Sequence, residues 1–203
     1  MERSEMDGLC VRECTQCPEL VDSRSQIVNG VGPADADLVF VGEGPGGTED
    51  REGEPFVGRS GSVLDEALGE AGVLREEVRI TNCVRCRPPE NRDPTKTELN
   101  NCRGYLETEL AAVDPALVVT LGKVPSEHLL DRSVAITKEA GEIVDARLGE
   151  RSQRVLLSVH PAATLYDRSQ REGFFETIAA AVDLADVGDG AGSADGQSRL
   201  GDY

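Results

Sequence analysis

The sequence contains no tryptophan, only four phenylalanines and three tyrosines, and just three lysines (Lys96, Lys123, Lys138) among 21 basic residues. With so few aromatics, a core has to be built from Val, Leu, Ile and Ala. No apolar run approaches the roughly 20 residues of a membrane-spanning helix, so a membrane-embedded class is excluded. The segment from Met1 to Cys17 is charged and lacks the apolar stretch of a secretion signal. These absences predict an intracellular, cytoplasmic protein. Its length of 203 residues suits one domain with a real core.

Positive charge is scarce as well. Asp and Glu number 38 against 21 Lys and Arg, for a formal charge of −17. An acidic surface poor in lysine is what a salt-rich cytoplasm favours, and it predicts a halophilic, archaeal source. Such a charge argues against binding a polyanion. One stretch argues the other way: Arg79, Arg85, Arg87, Arg92, Lys96 and Arg103 cluster and predict a positive face on an acidic body.

Six cysteines are present: Cys10, Cys14, Cys17, Cys83, Cys86 and Cys102. Nothing else in the chain looks secreted, so metal binding is the better reading than three disulfides. Cys14 and Cys17 have the spacing of a chelating turn. Four thiolates suit either a [4Fe–4S] cluster or a tetrahedral zinc, and Cys83 and Cys86 form a competing CxxC pair.

Four short apolar runs predict strands: Leu38–Gly42, Val78–Thr81, Leu117–Leu121 and Val155–Val159. None alternates strictly, which is the pattern of parallel strands buried on both faces. Between them lie amphipathic stretches. Val63, Leu64, Ala67, Leu68 and Ala71 share a stripe, as do Leu99, Cys102, Leu106, Leu110 and Val113. Thr95 and Glu98 have capping-box spacing. A last helix is predicted over Glu172–Ala185, and His128 falls in a helical stretch. The alternation predicts a three-layer α/β/α sandwich around a central four-stranded parallel sheet. The domain is predicted over 1–186, with the first 30 residues loop-like apart from the cysteines. The acidic Gly/Ser-rich tail, 187–203, is expected to be disordered.

In open α/β sheets, ligands bind beyond the carboxyl ends of the strands. The first predicted strand runs into Gly42-Glu43-Gly44-Pro45-Gly46-Gly47, the second into Thr81-Asn82 and the fourth into His160-Pro161. A carboxylate, an amide and an imidazole are thus expected on one rim. The Gly-rich turn is neither a Walker loop nor a convincing dinucleotide fingerprint.

Three blocks, in order and spacing, resemble the family 4 (iron–sulfur) uracil-DNA glycosylases. They are Gly42-Glu43-Gly44-Pro45-Gly46 followed by Pro55-Phe56-Val57-Gly58-Arg59-Ser60-Gly61, then Ile80-Thr81-Asn82 with Cys86-Arg87-Pro88-Pro89-Glu90-Asn91-Arg92-Asp93-Pro94, and then His160-Pro161-Ala162-Ala163. The resemblance runs from about Cys14 to Leu165.

The resemblance implies a DNA-repair hydrolase that cleaves the N-glycosidic bond of uracil in DNA and leaves an abasic site. It assigns Cys14, Cys17, Cys86 and Cys102 to a [4Fe–4S] cluster with a structural job. Asn82 would read the uracil edge, Phe56 would stack on the base, and backbone amides around Gly42, Gly44 and Gly46 would add to base binding. His160 would donate to uracil O2 as negative charge grows there. Glu43 would stabilise the sugar cation, orient water, or exclude thymine's methyl group. Leu165 would fill the stack vacated by the extruded base, with Arg59 and Arg168 as DNA contacts. The chain departs from the family at Gly44, where Ala is usual, and at Thr164-Leu165-Tyr166-Asp167-Arg168, where Leu-Leu-Arg is usual. Asp167 there is expected to repel phosphate and Arg168 to compensate. The expected partner is uracil-containing DNA, with no membrane and a monomeric chain. The alternatives are a family 5-like enzyme, against which Glu43 argues, an iron–sulfur or zinc-stapled nucleic-acid-binding module without catalysis, and an electron-transfer protein.

Overall fold

A computed structural model describes residues 4–149 and 151–187; the predicted tail lies almost wholly outside them. The chain runs β1 (Ser4–Asp7), β2 (Cys10–Cys14), α1 (Pro18–Ser23), β3 (Leu38–Gly42), α2 (Gly47–Glu52), α3 (Arg59–Glu70), β4 (Arg79–Asn82), α4 (Lys96–Val113), β5 (Leu117–Leu121), α5 (Lys123–Leu130), α6 (Ile136–Glu139), β6 (Ile143–Leu148), β7 (Arg151–Ser158) and α7 (Arg168–Leu184).

The α/β sandwich is as the sequence predicts, but its sheet has five strands, in the order β4-β3-β5-β7-β6. Four are parallel, and β6 pairs antiparallel with β7 at the edge. β6 leaves little apolar signal in the sequence because only Ala146 and Leu148 of it are buried. The N-terminal region also departs from the loop prediction. β1 and β2 form an antiparallel hairpin and α1 follows. Asn29 fastens this hairpin: its Oδ1 accepts from Val11 N at 2.8 Å and its Nδ2 donates to Val11 O. The amide side chain stands in for a neighbouring strand.

Every residue of β3, β4 and β5 is buried. Side chains alternate across a strand, so these continuous runs feed two cores. Leu38, Phe40, Ile80, Val119, Leu121 and Leu156 pack with Leu64 and Leu68 of α3 and Phe174 and Ile178 of α7. Val39, Val41, Val118, Val155 and Leu157 pack with Leu106, Leu110 and Val113 of α4 and Leu129 of α5. α4 begins at the predicted capping box: Thr95 accepts from Glu98 N and Glu98 accepts from Thr95 N. α7 begins at Arg168, earlier than predicted, because Asp167 caps it ahead of the apolar stripe.

A buried ion cluster ties α4 to β4. Glu109 has no solvent exposure and accepts from Arg79 Nε at 2.7 Å, Arg85 Nη2 at 2.5 Å and Thr81 Oγ1 at 2.9 Å. Arg79 also donates to the carbonyls of Gly30 and Gly32, and Arg85 to Asn29 Oδ1. Removing the shared carboxylate strands two buried guanidinium groups, and breaking such pairs costs about 3–5 kcal/mol. Glu109→Ala is therefore expected to lower unfolding stability by about that much in urea titrations. A loss below about 1 kcal/mol, the scale of a surface pair, would contradict this role.

Candidate active site

β3, β4 and β7 are parallel and end on one rim. The ladder register places Gly42 beside Asn82, and β7 delivers His160 two residues past its end. Backbone bonds continue beyond the strands: Cys83 N donates to Gly42 O at 2.8 Å and Val84 N to Glu43 O at 3.0 Å. Glu43 is thereby held next to β4.

Gly42 is glycine for a steric reason. A Cβ there would lie 2.4 Å from Asn82 Oδ1 and 2.5 Å from the Phe56 ring, so amide and ring close over the strand end. Phe56 is buried and adopts φ 54°, a conformation few non-glycine residues accept. Its backbone is clamped by α3: a Cβ on Gly61 would meet Phe56 O at 1.7 Å. Against this ring lies His160, with ring centroids 5.9 Å apart and planes inclined by 30°.

Asn82 is 3% exposed, and its Oδ1 accepts no hydrogen bond among the described residues. A buried acceptor without a donor costs about 1–3 kcal/mol. Such a group in a native site marks the place where a ligand supplies the missing donor. His160 has a defined tautomer. Its Nδ1 accepts from Ala162 N at 3.1 Å, which leaves Nε2 to carry the proton in the neutral ring. Burial lowers the imidazole pKa, while the Glu49 carboxylate partly opposes the shift. The ring is thus a neutral Nε2–H donor at physiological pH.

Glu43 is pushed up to about 7, first by burial and then by the charge of Asp93 and a hydrogen bond with it. Raised above 4.5, this group favours the folded state when protonated; its contribution is lost progressively as pH rises from 4.5 to about 7. Asp93 and Glu49 are site residues the sequence analysis missed. Glu49 Oε1 accepts from Gly58 N at 3.0 Å and so joins α2 to the Phe56 turn.

The predicted positive face is largely a misreading. Arg79 and Arg85 are buried on Glu109. Arg92 pairs with Glu98 and Glu19, and Arg103 with Glu107 and Asp131. Of the six residues, Arg87 and Lys96 have no carboxylate partner among the described residues, and Arg87 bonds Asn91 Oδ1. A sequence cannot distinguish a paired arginine from a free one. Arg59 at the start of α3, Leu165 at the end of the turn after His160 and Arg168 at the start of α7 are all exposed. Asp167, beside Arg168, is exposed and is the N-cap of α7; its bonds to Ser169 and Gln170 hold its carboxyl below the usual range, so it stays ionised.

Cys14 ends β2, Cys17 caps α1, Cys86 follows β4 and Cys102 sits on α4. These four converge: Cys86 feels the charge of Cys14 and Cys17, and Cys102 that of Cys86, Cys17 and Cys14. Burial pushes the Cys102 thiol up to about 12 and raises Cys86. Donors already point at the sulfurs. Arg24 Nη1 lies 2.8 Å from Cys86 Sγ, Asn101 Nδ2 3.3 Å from Cys17 Sγ, and the Arg85 amide bonds Cys102. Cys10 is exposed, whereas Cys83 lies in the apolar core with Val39 and Val41, and burial raises its pKa. Among the described residues, no three Cys, His, Asp or Glu side chains are close enough to hold a single metal ion. No helix there is long and apolar enough to cross a membrane.

The carboxyl of Glu43, labelled with carbon-13, is expected to titrate near pH 7, and Asp93→Asn to lower that midpoint. A midpoint near 4.5 in the unaltered protein would show that Glu43 is neither buried nor coupled to Asp93.

Residues 29–183 match the family model of the uracil DNA glycosylase superfamily. The chain is 38% identical over 168 residues to the type-4 uracil-DNA glycosylase of Archaeoglobus fulgidus, covering 81% of this chain and 84% of that protein. It is 42% identical over 160 residues to the type-4 enzyme of Thermotoga maritima, covering 78% and 81%. A type-5 uracil-DNA glycosylase of Pyrobaculum aerophilum is 34% identical over 73% of this chain and 78% of its own length. A rim that pairs an unfilled amide acceptor with a neutral imidazole donor, on a chain this similar to the type-4 enzymes along most of its length, belongs to the uracil-DNA glycosylase superfamily and, within it, to the type-4 uracil-DNA glycosylases.

Proposed function

We propose that this chain excises uracil from DNA by hydrolysing its N-glycosidic bond, with Asn82, Phe56, His160 and Glu43 acting on the base and sugar. The observation that carries the reading is the buried Asn82 Oδ1 with no donor among the described residues. Uracil offers a donor, N3–H, between two carbonyl acceptors. Asn82 Oδ1 accepts from N3–H while its Nδ2 donates to O4. Cytosine reverses both partners, and the mismatch costs about 1–3 kcal/mol per buried group.

Extrusion brings the base onto Phe56, whose unusual backbone is fixed by Gly61. As the glycosidic bond breaks, negative charge grows on the base and positive charge on the sugar. His160 Nε2–H donates to O2, where the negative charge develops, and needs no reorganisation to do so. Glu43, ionising near neutral pH, faces the sugar as a carboxylate that stabilises the cation and orients the attacking water.

We also infer that Cys14, Cys17, Cys86 and Cys102 hold a [4Fe–4S] cluster. The donor set fits it: four thiols converge with N–H donors aimed at three of them. Four thiolates would suit a tetrahedral zinc as well; the likeness to the type-4 enzymes favours the cluster. Once bound, it would supply a covalent staple between the N-terminal hairpin, the loop after β4 and α4. The acidic, lysine-poor composition supports adaptation to high salt.

Single-turnover assays on an oligonucleotide with one uracil should show cleavage at uracil and none at cytosine or thymine. His160→Ala should slow it about a hundredfold or more. The rate should rise with pH through about 7, and Glu43→Gln should remove that limb. An inactive protein, or a rate that falls through pH 7, would overturn the reading. Protein purified without oxygen should contain about four irons and four sulfides per chain, and Cys102→Ser should lose them. A zinc-loaded, sulfide-free protein would refute the cluster.

A further inference from the structure

The turn Pro161–Leu165 that follows His160 ends in two exposed apolar side chains. Leu165 is 36% exposed and Tyr166 83%. The other large exposed apolar residues among those described, Leu74, Ile143 and Leu184, are isolated from one another in the chain, and none is aromatic. In a sequence with three tyrosines and no tryptophan, an aromatic ring left in water beside the active site requires a reason.

The turn holds this ring in a defined place. Tyr166 N donates to Ala163 O at 3.2 Å, and Asp167 N to the same carbonyl at 3.1 Å. Asp167 then accepts from Ser169 N, Ser169 Oγ and Gln170 Nε2 as the cap of α7. These bonds fix the start of α7 directly after Tyr166. Arg168, exposed at the start of α7, follows the turn.

Charge does not supply much affinity for DNA here. The formal charge is −17, and four of the six basic residues near β4 are held by carboxylates. Phosphate contacts also weaken steeply with salt. Stacking of a base on an aromatic ring is worth about 1–3 kcal/mol and does not depend on sequence.

We propose that Tyr166 is a positioning residue that stacks on a DNA base neighbouring the extruded uracil, giving the enzyme a hold on DNA that persists in salt. The inference rests on the uracil-DNA reading above. The test measures binding of the full-length, cluster-loaded protein to an oligonucleotide carrying 2′-fluoro-deoxyuridine, which resists cleavage, at low and at multimolar KCl. Tyr166→Ser should weaken binding by about 5- to 100-fold at both salts. The dependence of affinity on salt should keep its slope. Tyr166→Phe should bind within about twofold of the unaltered protein, because the ring and not the hydroxyl makes the contact. At saturating protein, the single-turnover rate on ordinary uracil should change less than the affinity. Unaltered binding by Tyr166→Ser, or an equal loss in Tyr166→Phe, would overturn the proposal. Excision by the unaltered protein with no effect of Tyr166 would overturn this inference alone, whereas absent excision would overturn the uracil reading with it.

Discussion

The buried carboxylate of Glu109 is the contact on which the rest of the molecule depends. It lies between the guanidinium groups of Arg79 and Arg85 and also binds Thr81. Arg79 and Thr81 belong to β4, which ends at Asn82. Arg85 lies between Cys83 and Cys86, and its amide reaches Cys102 on the same helix that carries Glu109. One carboxylate thus fixes the strand that ends at Asn82 and two elements that carry cysteines. Buried ion clusters seldom add much stability over an apolar replacement. What this one provides is register: α4 and β4 fit together in one way.

From that register follows the tight rim. Gly42 lies beside Asn82, and the space above it is closed by the amide and the Phe56 ring. Phe56 holds an unfavourable backbone because α3 packs on its carbonyl through Gly61. His160 meets the ring from β7, with its tautomer set by Ala162 N. Strain and an unfilled acceptor are costs that a fold accepts at a working site. Glu43 adds a third: burial beside Asp93 raises its pKa to about 7, so ionising it works against folded stability.

Most of this was legible where a pattern has a single physical cause. Leu38–Gly42 and Leu117–Leu121 match β3 and β5 because strands buried on both faces must be apolar throughout. The capping box of α4 was readable as Thr95 and Glu98. The rim trio Glu43, Asn82 and His160 followed from strand ends alone. Half-buried elements were not legible. β6 hides in Ile143–Leu148 because it is an edge, and the first four residues of β7, from Arg151, hide because none is fully buried. The N-terminal hairpin is charged and takes its order from Asn29. Pairing was invisible too. Arg79, Arg85, Arg92 and Arg103 looked like a surface for DNA, but each has a carboxylate far away in sequence. Asp93 and Glu49 escaped notice for the same reason.

If Asn82 reads uracil, its open acceptor is filled by the N3–H of the base. The most direct measurement compares free uracil with 3-methyluracil as ligands of the intact protein, by calorimetry or by inhibition of excision. The two differ by replacement of that one hydrogen. Uracil should bind, and 3-methyluracil should bind at least about tenfold more weakly, as expected when a buried acceptor loses its donor at about 1.4 kcal/mol per tenfold. Equal binding of the two would contradict the account, because Asn82 would then not be reading the base.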